Sequence, residues 1–225
     1  MKATAIIPAH NEAARIGRVL EAVAASELID QLIVVDDGSS DDTASAAGGH
    51  NGAVVVRLAR NQGKAAAMLA GARLARNAVV LFLDADLVGL TAEHVSRLVE
   101  PVLAGETDMT VGQFASGSPF VTAWMRFCPA ISGQRAMRVT DFMAIPGVEA
   151  SGFGVEVVIT RYARARRLRV DYVPLPSITH VVKEAKRGLV RGLSSRALMY
   201  GQIVRSAMGN GYHHLIRAAR QEDRR

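Results

Sequence analysis

Short apolar runs alternate with amphipathic stretches along the first hundred residues, and this alternation limits the folds that the chain can adopt. Four runs rich in β-branched residues predict strands: Ala3–Pro8, Leu32–Val35, Ala53–Leu58 and Val79–Leu83. Apolar residues with helical spacing predict helices between and after them: Glu12–Ala25, Asp41–Ala47, Gly63–Arg76 and, after a Thr91 cap, a helix to about Leu103. Strands that alternate with helices form βαβ units, so we predict an α/β fold with a mainly parallel sheet flanked by helices.

A cluster of polar residues follows each of these predicted strands. The clusters are Pro8–Glu12, Asp36–Asp42, Arg60–Lys64 and Asp84–Asp86. The carboxyl ends of parallel strands lie at one edge of a sheet, and ligands of such folds bind there. We therefore expect the four clusters to form one binding site.

The second half of the chain is less regular. Further elements are predicted as a strand, a helix, two strands and a long basic amphipathic helix: Thr107–Gly112, Gly154–Arg167, Arg169–Val173, Ser177–Val181 and Leu189–Met208. Residues 113–150 show no clear period, which is typical of a functional loop region. We expect one catalytic domain over residues 1–187, with halves at 1–112 and 113–187, and a basic helical tail over 188–225.

Charge is distributed unevenly along the chain. Residues 1–160 contain 12 Lys and Arg against 17 Asp and Glu, whereas residues 161–225 contain 15 against 4. An acidic first part suits a metal site, and a basic tail suits anionic partners such as phosphates or lipid headgroups. The tail has no aromatic interleaving or reader motif, so we do not expect it to bind nucleic acid specifically.

The cellular compartment and the oligomeric state are predicted from cysteine content and hydropathy, which are weaker features. The single cysteine, Cys128, excludes an internal disulfide, and no window reaches the roughly 18 apolar residues of a membrane span. We therefore expect a cytoplasmic protein. The predicted helix at residues 189–208 can contact the inner face of a membrane, although packing on the domain or on a second copy in a homodimer is the alternative.

Three of the polar clusters contain residue types that bind nucleotides and metals. Asp84 and Asp86 flank one small residue, and carboxylate oxygens are the ligands that Mg²⁺ and Mn²⁺ favour; a turn with capping aspartates is the alternative. Asp37 can accept hydrogen bonds from a base or a ribose, or can cap a helix. Lys64 begins a predicted helix, whose free N–H groups attract phosphate.

Together these motifs resemble the family 2 glycosyltransferases, which have the GT-A fold. The resemblance is carried by four segments: Ile7–Glu12, Val35–Thr43, Asn61–Lys64 and Asp84–Asp86. It implies transfer of a hexosyl group from a UDP- or GDP-sugar with Mg²⁺ or Mn²⁺; a non-catalytic nucleotide-sugar-binding protein is the alternative. The implied donor-binding residues are Pro8, Ala9, Asn11, Glu12, Asp37, Lys64, Asp84 and Ala85. Asp86 is implied as the principal metal ligand and as a catalytic residue, with Asp84 as a second ligand.

Two segments of the second half are similar to two groups of these enzymes. Ser132–Arg138 is similar to a segment of the polyprenyl-phosphate glycosyltransferases, with Gln134 in place of an aromatic residue. Ala150–Val157 is similar to a segment of the glucosyl-3-phosphoglycerate synthases, which implies that Glu156 contacts the sugar or the acceptor and that His180 completes the metal shell. A lipid phosphate and a small phosphorylated molecule are thus both candidate acceptors. The expected acceptor or phosphate contacts are Arg135, Arg138, Lys183 and Lys186.

Overall fold

The structure is a computed structural model that describes residues 1–114 and 132–180. Its strands are β1 Ala3–Ala9, β2 Ile29–Asp36, β3 Ala53–Arg57, β4 Val79–Phe82, β5 Leu87–Val88, β6 Met109–Phe114, β7 Arg135–Arg138, β8 Val170–Leu175 and β9 Thr179–His180. Its helices are α1 Ile16–Ala24, α2 Thr43–Gly48, α3 Lys64–Ala72, α4 Ala92–Leu103, α5 Val139–Met143 and α6 Val155–Arg166, with a 3-10 helix at Val148–Gly154.

Seven strands form one sheet in the order β3-β2-β1-β4-β7-β6-β8. β7 runs antiparallel to its neighbours β4 and β6, and every other pair in this sheet is parallel. The prediction of a mainly parallel α/β sheet is confirmed. A separate antiparallel pair joins β5 to β9, with Leu87 opposite His180.

Residues of each strand alternate between two apolar layers because successive side chains point to opposite faces of a sheet. Ile7 and Leu81 belong to a buried cluster that includes residues of α1 and α4. Ile6 and Phe82 belong to a second cluster, with residues of α3 and α6. The sheet is therefore covered by helices on both faces, as parallel sheets require.

Small residues let α3 approach the sheet closely. Its sequence is Lys-Ala-Ala-Ala-Met-Leu-Ala-Gly-Ala. A Cβ atom on Gly71 would overlap the Ile6 side chain and lie 3.2 Å from Cγ2 of Val35. This close packing holds Lys64, the first residue of α3, near the sheet edge.

The region predicted to be irregular contains regular elements. Within residues 113–150, the described part includes β7 and α5 and the start of the 3-10 helix. Residues 115–131 lie outside the described residues, as do Lys183, Lys186, the predicted helix Leu189–Met208 and the rest of the predicted tail. Among the helices of residues 1–114 and 132–180, none is long and apolar enough to cross a membrane.

Candidate functional site

The carboxyl ends of β1 to β4 meet at one edge of the sheet, as predicted. Because β7 is antiparallel, its first residue lies at the same edge, where Arg135 pairs with Phe82 of β4. The first turns of α3 and α6 supply Lys64 and Glu156. The structure therefore brings donor-side residues of the first half and Glu156 of the second half to one place.

The loop after β1 is held against the loop after β2 by hydrogen bonds. Asn11 has a φ of 57°, and its N–H donates to Oγ of Ser39 at 2.9 Å. In return, the N–H of Ser40 donates to Oδ1 of Asn11 at 2.9 Å, and the N–H of Glu12 donates to Oγ1 of Thr43 at 2.8 Å. These contacts place Pro8–Glu12 beside Asp37. Helix α1 begins at Ile16, four residues later than predicted.

Asp37 fixes the loop that precedes α3. Its buried carboxylate accepts the N–H of Gln62 at 2.7 Å and that of Gly63 at 2.8 Å. The prediction that free N–H groups at this helix start bind phosphate is therefore wrong for these two groups, because Asp37 already supplies the anion. Gly38, with a φ of +65°, packs tightly here: a Cβ atom would lie 2.5 Å from the carbonyl carbon of Arg60.

An ion cluster lies at the centre of the site. Nζ of Lys64 donates to Oδ1 of Asp84 at 2.5 Å and to Oε1 of Glu156 at 2.6 Å. The exposed fractions of the three side chains are 21%, 20% and 12%, so solvent screens the cluster only partly. Burial alone would lower the pKa of Lys64, but the carboxylates of Asp84 and Glu156 outweigh it and raise the pKa above its ordinary value. Lys64 is therefore a permanent cation between a carboxylate of the first half of the chain and a carboxylate of the second half.

The second oxygen of Asp84 is bound by a residue that the sequence did not identify. Nε2 of Gln134 donates to Oδ2 of Asp84 at 2.8 Å, and Oγ of Ser132 donates to Oε1 of Gln134 at 2.9 Å. Gln134 is fully buried. From the sequence it was noted only as a replacement for an aromatic residue, and no local pattern indicates a contact with a residue 50 positions away.

The two arginines of β7 occupy different environments. Arg135 is fully buried, and its guanidinium donates to the Ser132 carbonyl and to Oγ1 of Thr160, each at 2.8 Å. Burial lowers the pKa of Arg135 to about 10, so it stays charged at neutral pH. Arg138 is half-exposed at the opposite end of the strand, 3.8 Å from Asp108. The structure thus places Arg135 beneath the site and does not bring Arg138 to it.

Asp86 lies in the turn between β4 and β5 and is partly buried. The pairing of Leu87 with His180 brings the His180 backbone close to this turn, while the His180 side chain lies outside what the structure describes. Within the described ranges, no three His, Cys, Asp or Glu side chains are grouped as a metal site. Mg²⁺ is commonly held by one or two carboxylates together with substrate phosphates, and Asp84 and Asp86 fit that arrangement.

A comparison with protein families identifies the class of protein. Residues 4–156 match the family described as Glycosyl transferase family 2. The chain belongs to this family and is a glycosyltransferase, as the motifs predicted. No curated protein matches the chain.

Solved structures of glucosyl-3-phosphoglycerate synthase from Mycobacterium tuberculosis are similar to the chain. The complex with phosphoglyceric acid is 26% identical with a TM-score of 0.73, and the match covers 90% of this chain and 77% of that chain. The complex with Mn²⁺, UDP and glucosyl-3-phosphoglycerate is 26% identical, with a TM-score of 0.74 and coverages of 92% and 78%. The complex with Mg²⁺ and UDP is 25% identical, with a TM-score of 0.75 and coverages of 92% and 78%. These matches confirm the predicted GT-A fold.

Proposed function

We propose that the protein transfers a hexosyl group from a UDP-sugar to a small phosphorylated acceptor, with Mg²⁺ or Mn²⁺ as cofactor. The structurally similar enzyme binds UDP with either cation, and it binds phosphoglyceric acid or glycerol 3-phosphate. In this chain the proposal depends on the cluster of Lys64, Asp84 and Glu156, which lies beside Asp86 at the edge of the sheet where nucleotides bind in such folds.

The nucleoside lies, in this proposal, against the joined loops after β1 and β2. Pro8, Ala9, Asn11 and Glu12 form one side, and Asp37 forms the other. The hydrogen bonds from Asn11 and Glu12 to the second loop make this surface rigid before the donor binds. Rigid binding residues reduce the entropy cost of ordering the donor.

The cation binds at Asp86, with Asp84 and His180 as further ligands and Ala85 as the small residue between the carboxylates. A bound cation supplies neutralisation of the diphosphate leaving group. Lys64 adds a second positive charge at this edge, and its carboxylate partners keep it protonated.

Glu156 faces the sugar and the acceptor. Its carboxylate lies in the first turn of α6, where the helix dipole stabilises negative charge. Positive charge develops at the anomeric carbon as the bond to the diphosphate breaks, and the carboxylates of Asp84 and Glu156 stabilise that charge. Arg135 contributes as a buried charge beneath Glu156, since Oγ1 of Thr160 accepts from Arg135 and donates to the Glu156 carbonyl. Direct phosphate contacts remain predicted for Lys183 and Lys186.

The test is a panel of donors and acceptors with the purified protein. UDP-glucose, GDP-glucose and ADP-glucose are combined with 3-phosphoglycerate, with glycerol 3-phosphate and with a polyprenyl phosphate in detergent, each with Mn²⁺ and with excess chelator. We expect product from the UDP-sugar and a soluble phosphorylated acceptor, and its loss with chelator. Product from the lipid acceptor alone would favour the polyprenyl-phosphate alternative that Ser132–Arg138 suggests. Donor binding without transfer or donor hydrolysis would indicate a binding protein instead.

A further inference from the structure

The two carboxylate oxygens of Asp84 are held by two different residues. Lys64 donates to Oδ1 from the first turn of α3, and the Gln134 amide donates to Oδ2 from the residue before β7. Rotation about the Cβ–Cγ bond of an aspartate is a broad torsion, and a hydrogen bond to each oxygen restricts it more than a bond to one oxygen does.

Each residue of the Ser132-Gly133-Gln134 segment has a distinct contact with this arrangement. Oγ of Ser132 donates to the Gln134 carbonyl oxygen, which turns the amide nitrogen toward Asp84. Gly133 permits the close approach, because a Cβ atom there would lie 2.6 Å from both Oδ2 of Asp84 and Nζ of Lys64. The Ser132-Gly133-Gln134 segment therefore packs directly on the Lys64–Asp84 ion pair.

We infer that Gln134 is a positioning residue of the transfer reaction, which sets the orientation of the Asp84 carboxylate by holding the oxygen that Lys64 does not bind. The inference depends on the proposed function, since it concerns the reaction at that site. The Gln134 side chain is fully buried, so a donor that enters the site from solvent does not contact it. Gln134 therefore acts through Asp84.

Loss of the amide should lower turnover more than donor binding. A displacement of about 1 Å in a reacting group can cost about 100-fold in rate, and loss of an outer hydrogen-bond partner costs about 10- to 100-fold. The surface proposed to bind the nucleoside does not include Gln134. We therefore expect kcat to fall about 10- to 100-fold while the KM for the donor changes little.

The experiment is a double-mutant cycle. Gln134→Met, which keeps the length of the side chain and removes its hydrogen bonds, is made in the native chain and in Asp84→Asn. If Gln134 acts through Asp84, Gln134→Met lowers kcat in the native chain and has little further effect in Asp84→Asn. Gly133→Ala is a second variant, whose added methyl group displaces the same ion pair and should lower kcat without a large loss of stability.

Gln31→Met is the matched control. Gln31 is also buried, and it makes three hydrogen bonds near the opposite edge of the sheet: with Oγ1 of Thr4 at 2.7 Å, the Leu74 carbonyl at 3.0 Å and the N–H of Arg76 at 2.8 Å. It should lower the melting temperature at least as much as Gln134→Met and leave kcat unchanged.

An equal fall in kcat on both backgrounds, or no fall on the native one, would overturn the inference while the proposed function stands. No transfer by the unaltered protein in the donor and acceptor panel would overturn the proposed function, and the inference with it.

Discussion

β7 runs from the edge of the sheet that holds the candidate site to the opposite edge. An aspartate is paired with a cation at each of these edges, but the surroundings of the two pairs differ. At one edge, Lys64 bridges two carboxylates of different elements, and its side chain is only one-fifth exposed. At the other edge, Arg169 binds Asp108 with its side chain more than half exposed.

The opposite edge has the contacts of a structural clamp. Arg169 donates to both oxygens of Asp108, at 3.2 and 2.9 Å, and to the carbonyls of Glu106 and Gly105, at 2.8 and 3.0 Å. These bonds tie the chain before β6 to the start of β8. All of these acceptors belong to residues 105–108, so one arginine fastens this short segment to β8, as a structural clamp does.

The Lys64 cluster is instead joined by hydrogen bonds between side chains. Partly buried ion pairs lose hydration that their attraction barely offsets, so they stabilise a fold little. Lys64 and Glu156 lie in the first turns of two different helices, and Asp84 follows β4, so the cluster joins three separate parts of the chain. The partners of a charge cluster, rather than its charge alone, thus distinguish the candidate site from the structural clamp.

The largest effect should come from Asp86. We expect Asp86→Asn to reduce transfer about 1,000-fold, because the amide binds Mn²⁺ or Mg²⁺ weakly and charge on the leaving group is then poorly neutralised. The measurement is the rate of product formation at saturating donor and increasing Mn²⁺. Asp42→Asn, which changes an exposed carboxylate of the same edge, is the control and should keep full activity. If Asp86→Asn were as active as the native protein, the proposal that the cation binds at this turn would be wrong.

Local patterns explain which parts of the molecule could be predicted. β1 to β4 were predicted because runs of β-branched residues favour strands, and the edge site followed because parallel strands end together. β7 was missed because Arg-Ala-Met-Arg has no β-branched residue, and it pairs as a strand between β4 and β6.

Contacts between distant residues could not be predicted from those patterns. Lys64 and Glu156 are 92 positions apart, and their ion pair exists only because α3 and α6 begin at the same edge. The expected phosphate contacts of Arg135 and Arg138 rested on their charge and on the resemblance of their segment to one of the polyprenyl-phosphate glycosyltransferases. The antiparallel course of β7 instead buries one of them beneath the site and takes the other to the opposite edge.

Lys64→Met should have the next largest effect. It leaves Asp84 and Glu156 without their common cation, so we expect about 100-fold slower transfer and a loss of about 1–3 kcal/mol in the free energy of unfolding. Urea unfolding and turnover measure the two quantities. Arg73→Met is the control, since Arg73 is an exposed arginine directly after the same helix and its removal should change both little. If Lys64→Met lost stability but transferred the sugar at the native rate, the Lys64 cluster would be a structural clamp like that of Arg169, and the two edges would not differ in role.

The smallest effect should come from the clamp itself. Hydrogen bonds from Arg169 hold the pKa of Asp108 below its ordinary value. A lowered pKa contributes stability above the unfolded pKa of about 4, and that contribution is lost as the pH falls through the folded value. We therefore expect Arg169→Met to lower the melting temperature by about 2–4 °C at pH 7, by less at pH 3, and to leave kcat unchanged. If kcat fell together with the melting temperature, the Arg169–Asp108 clamp would also affect catalysis, and the two clusters could not be assigned separate roles.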